Sequence, residues 1–504
     1  MTNGRWMALM AIGLSATAGA QGSAEYQVRG AIARARAIDA QINSIIALDP
    51  TAIAQARAVD GRKPGGPLAG RPVLIKDNIE ALGPLPTTAG SLALVGNVTG
   101  RDAPLVAQMR AAGLVILGKA NLSEWANIRS SSSISGWSAV GGQTRNPYAL
   151  DRNTCGSSSG SAAAVAAGIV DLAIGTETDG SITCPASITG IVGFKPTVGL
   201  VSRTHIVPIS VSQDTAGPMT RTVRQAADLL SVIAGSDRAD PATGEADHRK
   251  RDYAAALDAN ALRGKRIGVM RFASGFGTDT LFNAALELLK ARGATLVEIR
   301  KFDDRAIGGN EFAVLLTELK AGMNDYLAGT PATVRSRTLA DLIAFNKANA
   351  PSEMGLFAQE TFERAQGTKG LADPAYLKAR RISLAAAGVN GIDKMMRDHR
   401  LAALVGPTMP AAWKIDAVHG DQISGGGAGS LAAVAGYPHL TVPMGQVKGL
   451  PVGLSFIGGK WDDAKILSLG FAYEQARGPL PGPSFWRSIE DSPDVAPLLA
   501  PVRR

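Results

Sequence analysis

The chain of 504 residues carries 52 Lys and Arg against 43 Asp and Glu, a formal net charge of +9, with 45% hydrophobic and 19% charged residues. That composition supports a large buried core and excludes global disorder. The densest basic cluster, His248, Arg249, Lys250 and Arg251 with Arg263, Lys265 and Arg266, has no aromatic interleaving, so it reads as solvated surface and no nucleic-acid site is expected.

Arg5, the apolar run 6–18 and Ala18-Gly19-Ala20 have the layout of an export signal over residues 1–20, cleaved near Gln21. The apolar run falls short of the roughly 20 residues a spanning helix needs. Export to a periplasm or the outside, with no membrane attachment after cleavage, is therefore expected.

In the mature chain, Ile32, Ile38, Ile42, Ile45 and Ile46 fall at helical spacing, which predicts a helix over 25–47; a second follows over 52–59, then a Gly/Pro loop over 61–70. The run PVLIKDNI at 72–79 is a short buried strand ending in Lys76. Such a lysine either snorkels to the surface or, if buried, loses its proton readily and serves as a base. A helix over 103–112, a strand over 114–117 and a helix capped near Asn121 or Ser123 continue the alternation. After loops over 129–142 and 144–151 come a small-residue helix at 161–169, a strand at 170–174 and a turn into Ser181. Helices are predicted over 220–234, 278–292, 311–327, 339–346, 374–399 and 462–475, with strands over 267–270, 295–299, 401–405, 439–443 and 452–457. The alternation predicts an α/β fold.

Two cysteines occur, Cys155 and Cys184. Two small buried thiols is the favoured reading, and pairing in an oxidising compartment is the alternative. Neither has His or Cys partners at metal-ligand spacing.

Chemistry concentrates in residues 154–200. Gly156-Ser157-Ser158-Ser159-Gly160 satisfies a nucleophile elbow centred on Ser158, but Arg152-Asn153-Thr154 is a poor preceding strand and none of the five histidines has a catalytic context. Gly425-Gly426-Gly427-Ala428-Gly429-Ser430 lacks the strand and acidic residue of a dinucleotide loop and reads as a flexible loop.

A longer pattern uses the whole segment. CGSSSGSA (155–162), GTETDGSITCPA (175–186) and GFKPT (193–197) stand in order, with VLIKDNI (73–79), TTAGS (87–91), GKANLSEWA (118–126), RNP (145–147), DTAGPM (214–219), GYP (436–438) and LPVGLSFIG (450–458) on either side. This set resembles the amidase signature family. The resemblance implies one amidase signature domain over 21–504, a large mixed twisted β-sheet sandwiched between layers of α-helices, with 235–403 as a variable substrate-cover region. It also implies a triad of a serine, a second serine preceding a cis peptide, and a lysine, which fall here on Ser181, Ser157 and Lys76. No metal or cofactor is implied.

The residue types make that chemistry intelligible. A serine hydroxyl needs a neighbour to take its proton, Lys76 held neutral beside Leu74 and Ile75 can do so, and the Ser157 hydroxyl can both donate and accept. Backbone N–H groups of Thr178, Asp179, Gly180 and Ser181 are placed to receive the oxyanion. Asp179, Thr183, Cys155 and Ser159 depart from the family's usual glycines and arginine, and with GGQTRNPYALDR (141–152) look most like the exported peptide amidase branch, whose members release ammonia from C-terminal peptide amides. Amidase or esterase action on small aryl or fatty amides is the alternative within the class. An exported small-molecule binding protein that has lost activity is the alternative outside it.

Overall fold

The sequence PVLIK alternates its side chains as a fully covered strand must: Val73 and Ile75 enter one buried cluster and Leu74 the other. Leu172 and Ile174 divide from Ala173 in the same way. The computed structural model describes residues 22–501, so the signal sequence expected over 1–20 lies outside the described residues.

Among the described residues, eleven strands form one mixed sheet. They are β1 (Ile45–Leu48), β2 (Pro72–Lys76), β3 (Val115–Ala120), β4 (Leu172–Glu177), β5 (Val192–Lys195), β6 (Thr215–Thr220), β7 (Arg266–Met270), β8 (Thr295–Ile299), β9 (Ala403–Pro407), β10 (His439–Val447) and β11 (Leu450–Ile457). The order across the sheet is β1-β3-β2-β4-β6-β5-β10-β11-β9-β7-β8. β2 runs parallel to both β3 and β4, whereas β6 runs antiparallel to β4 and β5.

Helices cover both faces. Ala24–Ile42, Ala52–Arg62 and Ser159–Ala166 pack on the Leu74 face, while Pro104–Ala111, Val223–Ile233, Asp279–Ala291 and Asp463–Arg477 pack on the Val73 face. The expected mixed sheet between helical layers is the fold observed. Small side chains set the spacing of one layer: a Cβ at Gly160 would lie 2.2 Å from the Ser44 carbonyl oxygen, so only glycine lets this helix start so close to the sheet.

Several elements differ from the sequence expectation. The first helix stops at Ile42, because Asn43 turns left-handed (φ 49°), and Ile45–Leu48 becomes an edge strand paired antiparallel with β3. β5 and β6 were not anticipated, since GFK and TAGPMT carry the Gly and Pro that depress strand propensity. Central placement and burial of every residue in β6 override that propensity. The helix expected after Asn121 is a short 3-10 turn, Glu124–Asn127, with Trp125 and Ala126 left-handed. The glycine run leads into an unexpected helix, Gly429–Ala435, and the 374–399 helix is broken by a wide turn at Gly388–Ile392.

Within 235–403, β7 and β8 extend the far edge of the sheet. The helices Gly308–Ala328, Leu339–Ala348 and Glu360–Gln366 form a separate cluster with Trp125 and Val207. Trp125 meets Phe362 edge-on at 5.8 Å, which seats this helical group on the loops that follow β3.

Candidate active site

Parallel pairing aligns the ends of β2 and β4: Val73, Leu74 and Ile75 face Leu172, Ala173 and Ile174. Lys76 and Thr176 therefore emerge side by side at the carboxyl ends of adjacent strands, where parallel α/β sheets place their ligands. Strand alternation sends Lys76 to the same face as Leu74, beneath the helix Ser159–Ala166, and the turn that starts that helix delivers Ser157.

The Lys76 Nζ lies 2.7 Å from Ser157 Oγ, 2.9 Å from Thr176 Oγ1 and 3.3 Å from the Thr176 carbonyl oxygen, and all three residues are buried. Burial is the main influence on the amine and pushes it down to about 7, against the opposing fields of Asp214 and Glu177. A neutral amine has two N–H donors and one lone pair. The two Thr176 oxygens take the donors, and the lone pair is left for the Ser157 hydroxyl.

Two other buried lysines sharpen the contrast. Lys119, in GKANLSEWA, is 3.4 Å from the Asp77 carboxylate and donates to Thr87 Oγ1 at 2.7 Å. Lys195, in GFKPT, donates to the Pro196 carbonyl at 3.1 Å and is pushed by burial to about 8. Neither hydrogen-bonds a serine hydroxyl among the described residues; Lys76 does.

Ser181 stands in the turn after β4. Glu177 Oε2 accepts the backbone N–H of Ile182 at 2.7 Å and of Thr183 at 2.9 Å, which folds this turn back on its own strand. Gly180 takes φ 76°, and the nearest atom to an added Cβ would be 4.0 Å away. Its glycine is required by the left-handed conformation and not by close approach. Among the described residues, the N–H groups of Thr178, Asp179, Gly180 and Ser181 donate no hydrogen bond. Ser181 retains 8% exposure, and its carbonyl accepts the Ser158 N–H at 3.2 Å, which joins the two serine-bearing turns.

Those turns are also joined covalently. Cys155 and Cys184 form a disulfide (S–S 2.02 Å, Cα–Cα 6.0 Å), which corrects the reading of two separate thiols. The turn before Ser157 and the helix Thr183–Ile188 converge on one small cluster with Met409 and Trp413, so the two sulfurs meet. The cis bond lies between Gly156 and Ser157, so it precedes the serine instead of following it.

Ser158, the serine of the elbow pattern, is fully buried; its Oγ donates to the Thr176 carbonyl at 3.0 Å and accepts the Thr176 N–H at 3.2 Å. It pins the turn to β4. His439 is buried with Nε2 2.6 Å from Ser455 Oγ, and burial pushes its ring down to about 3. Asp179 has its carboxyl pushed well up, first by burial and then by the Glu311 and Glu177 charges. Among the described residues, no group of three or more His, Cys, Asp or Glu is placed to hold a metal ion.

Three contributors carried no role in the sequence reading. Thr176 binds Lys76; Asn78 Nδ2 donates to Thr176 Oγ1 at 3.0 Å; Asp214 accepts from Thr178 Oγ1 at 2.6 Å. All three sit inside motifs already singled out, so the motif boundaries signalled them while the residue types alone did not.

The Amidase family model matches residues 27–467. An Arabidopsis thaliana protein described as a probable amidase is 39% identical over 456 residues, spanning 86% of this chain and 83% of its own. The crystal structure of native peptide amidase from Stenotrophomonas maltophilia is 48% identical, with a TM-score of 0.88 over 93% of this chain and 96% of that one. A peptide amidase in complex with the competitive inhibitor chymostatin is 49% identical, with a TM-score of 0.87 over 92% and 96%. The chain belongs to the Amidase family and is an amide-hydrolysing enzyme.

Proposed function

We propose that the chain deamidates C-terminal peptide amides through an acyl-enzyme on Ser181, with Ser157 as proton relay and Lys76 as base. The contact of 2.7 Å between Ser157 Oγ and a buried lysine held near neutrality carries this reading. In acylation, Ser181 gives its proton to Ser157, which passes its own to Lys76, while the Ser181 oxygen bonds the amide carbon. The unbonded N–H groups of Thr178 to Ser181 receive the negative oxygen, and removing one such donor costs about 3 to 4 kcal/mol of transition-state stabilisation. The proton returns through Ser157 to the departing nitrogen, the C–N bond breaks, and ammonia leaves. Water then attacks the ester and restores Ser181.

Peptide amides are favoured over small aryl or fatty amides by the likeness to peptide amidase structures, one of them holding chymostatin. Thr183 stands where the family pattern has arginine, so this turn offers no cation for a small carboxylate-bearing amide. Ammonia release measured across peptide, fatty and aryl amides is expected to show kcat/KM for peptide amides at least about tenfold above the others. Equal or faster turnover of fatty or aryl amides would transfer the assignment to them, and no ammonia from any amide would leave the binding-protein reading.

Export is part of the proposal. The signal layout over 1–20 supports it, as does a disulfide of the kind that persists in oxidising compartments. Protein recovered from the exported fraction is expected to begin near Gln21; recovery of the intact amino terminus from cytoplasm alone contradicts export.

A further inference from the structure

Behind Thr176, the partner of Lys76, lies a chamber of about 30 Å³ lined by Asn78, Thr176, Thr178, Ile206 and Asp214 among others, and neither Ser157 nor Ser181 lines it. One water needs about 10 to 15 Å³ of such space, so the chamber has room for at least one. Its polar lining is incomplete. Asn78 is buried, and its Oδ1 has no hydrogen-bond partner. Thr176 Oγ1 already accepts from Lys76 and from Asn78 Nδ2, so both its lone pairs are used and its own proton needs an acceptor. A water between the two satisfies both, donating to Asn78 Oδ1 and accepting from the Thr176 hydroxyl.

The chamber has an approach of its own. Arg203, Ile206, Pro208 and Asp214 line both it and an open groove of about 470 Å³. Arg203 is held at that boundary by Asp240, with Nε 2.8 Å from Oδ2.

We propose that this chamber is a water site serving the Lys76–Thr176 pair, filled from the Arg203 groove. This rests on the reading of Lys76 as the base. The water stands one hydrogen bond beyond the lysine, on the Thr176 oxygen that accepts from Lys76 Nζ, and by polarising that oxygen sets how much of the burial penalty the ammonium feels. The charged groups facing Lys76 are Glu177 from β4 and Asp214 from the turn before β6; Arg203 faces the chamber, and Asp77, next along the chain, is taken by Lys119. Loss of the water disfavours the ammonium further, so the acid limb of the rate profile moves to lower pH.

A crystal structure of the unmodified enzyme is expected to show an ordered water within hydrogen-bond distance of Asn78 Oδ1 and Thr176 Oγ1; a dry chamber overturns the proposal. Ile206→Phe narrows the passage while leaving every polar group in place, and Asn78→Leu removes the acceptor. In both, the acid limb of kcat/KM is expected to shift down by about half a pH unit or more, with KM for a peptide amide unchanged. An unmoved limb in Ile206→Phe, alongside an inactive Lys76→Ala, sinks the water site alone. Full activity of Lys76→Ala sinks the base reading on which it rests.

Discussion

Ser181→Ala is expected to lower kcat/KM at least about 10⁴-fold, roughly 5.5 kcal/mol of transition-state stabilisation, and to abolish covalent labelling by a serine-directed probe. The fold is expected to survive, because the Ser181 hydroxyl makes no hydrogen bond among the described residues and the turn is held by Glu177 and the disulfide. A melting temperature near that of the unmodified enzyme would separate lost chemistry from lost structure. Mass mapping of the labelled peptide decides between the candidate serines. Label on Ser158 would overturn the assignment, although both faces of its hydroxyl are occupied by Thr176.

The second large effect belongs to the lysine. Only neutral Lys76 can accept a proton, and its ammonium is pushed down to about 7. Below that pH the amine is charged and the rate is lost; above it the rate reaches a plateau. The acid limb of kcat/KM is therefore expected near pH 7, whereas an ordinary lysine would place it near about 10. Lys76→Ala is expected to cost nearly as much as the loss of Ser181, because Ser157 then has nowhere to send its proton. Lys76→Arg is expected not to rescue it, since a guanidinium holds its proton throughout the accessible range. Retained activity of Lys76→Ala at neutral pH, or a limb unmoved from the solution value of lysine, contradicts the base role.

Much of the architecture was legible because burial on both faces leaves a plain trace. The apolar runs at β2, β4, β7, β10 and β11 and the helices between them needed only periodicity. What escaped was governed by tertiary context. β6 contains Gly217 and Pro218, which local propensity rejects, yet it lies between β4 and β5 with every residue buried. The end of the first helix turned on one left-handed asparagine, which no apolar spacing encodes.

At the site, Lys76, Ser157 and Ser181 were named from ordered motifs, and the structure brings Lys76 into contact with Ser157 and ties the Ser157 and Ser181 turns together. Thr176 and Asn78 were not given parts, because a threonine and an asparagine inside a motif look like turn residues until the lysine's partners are counted. The cysteines escaped for a different reason: sequence separation of 29 says nothing of two turns folding back on each other.

That cross-link gives the machinery an uneven mechanical character. The chain from Cys155 to Cys184 is a closed covalent ring, and both serines, the four N–H donors and Thr176 all lie inside it. Lys76 lies outside, held to the ring by hydrogen bonds and by the pairing of β2 with β4. Local opening of the β2–β4 pairing therefore separates Lys76, the proposed base, from Ser157 and Ser181 while the cross-link still holds those two turns together. On the proposed mechanism, activity is expected to fade with the β2–β4 seam while the surroundings of Ser181 stay assembled.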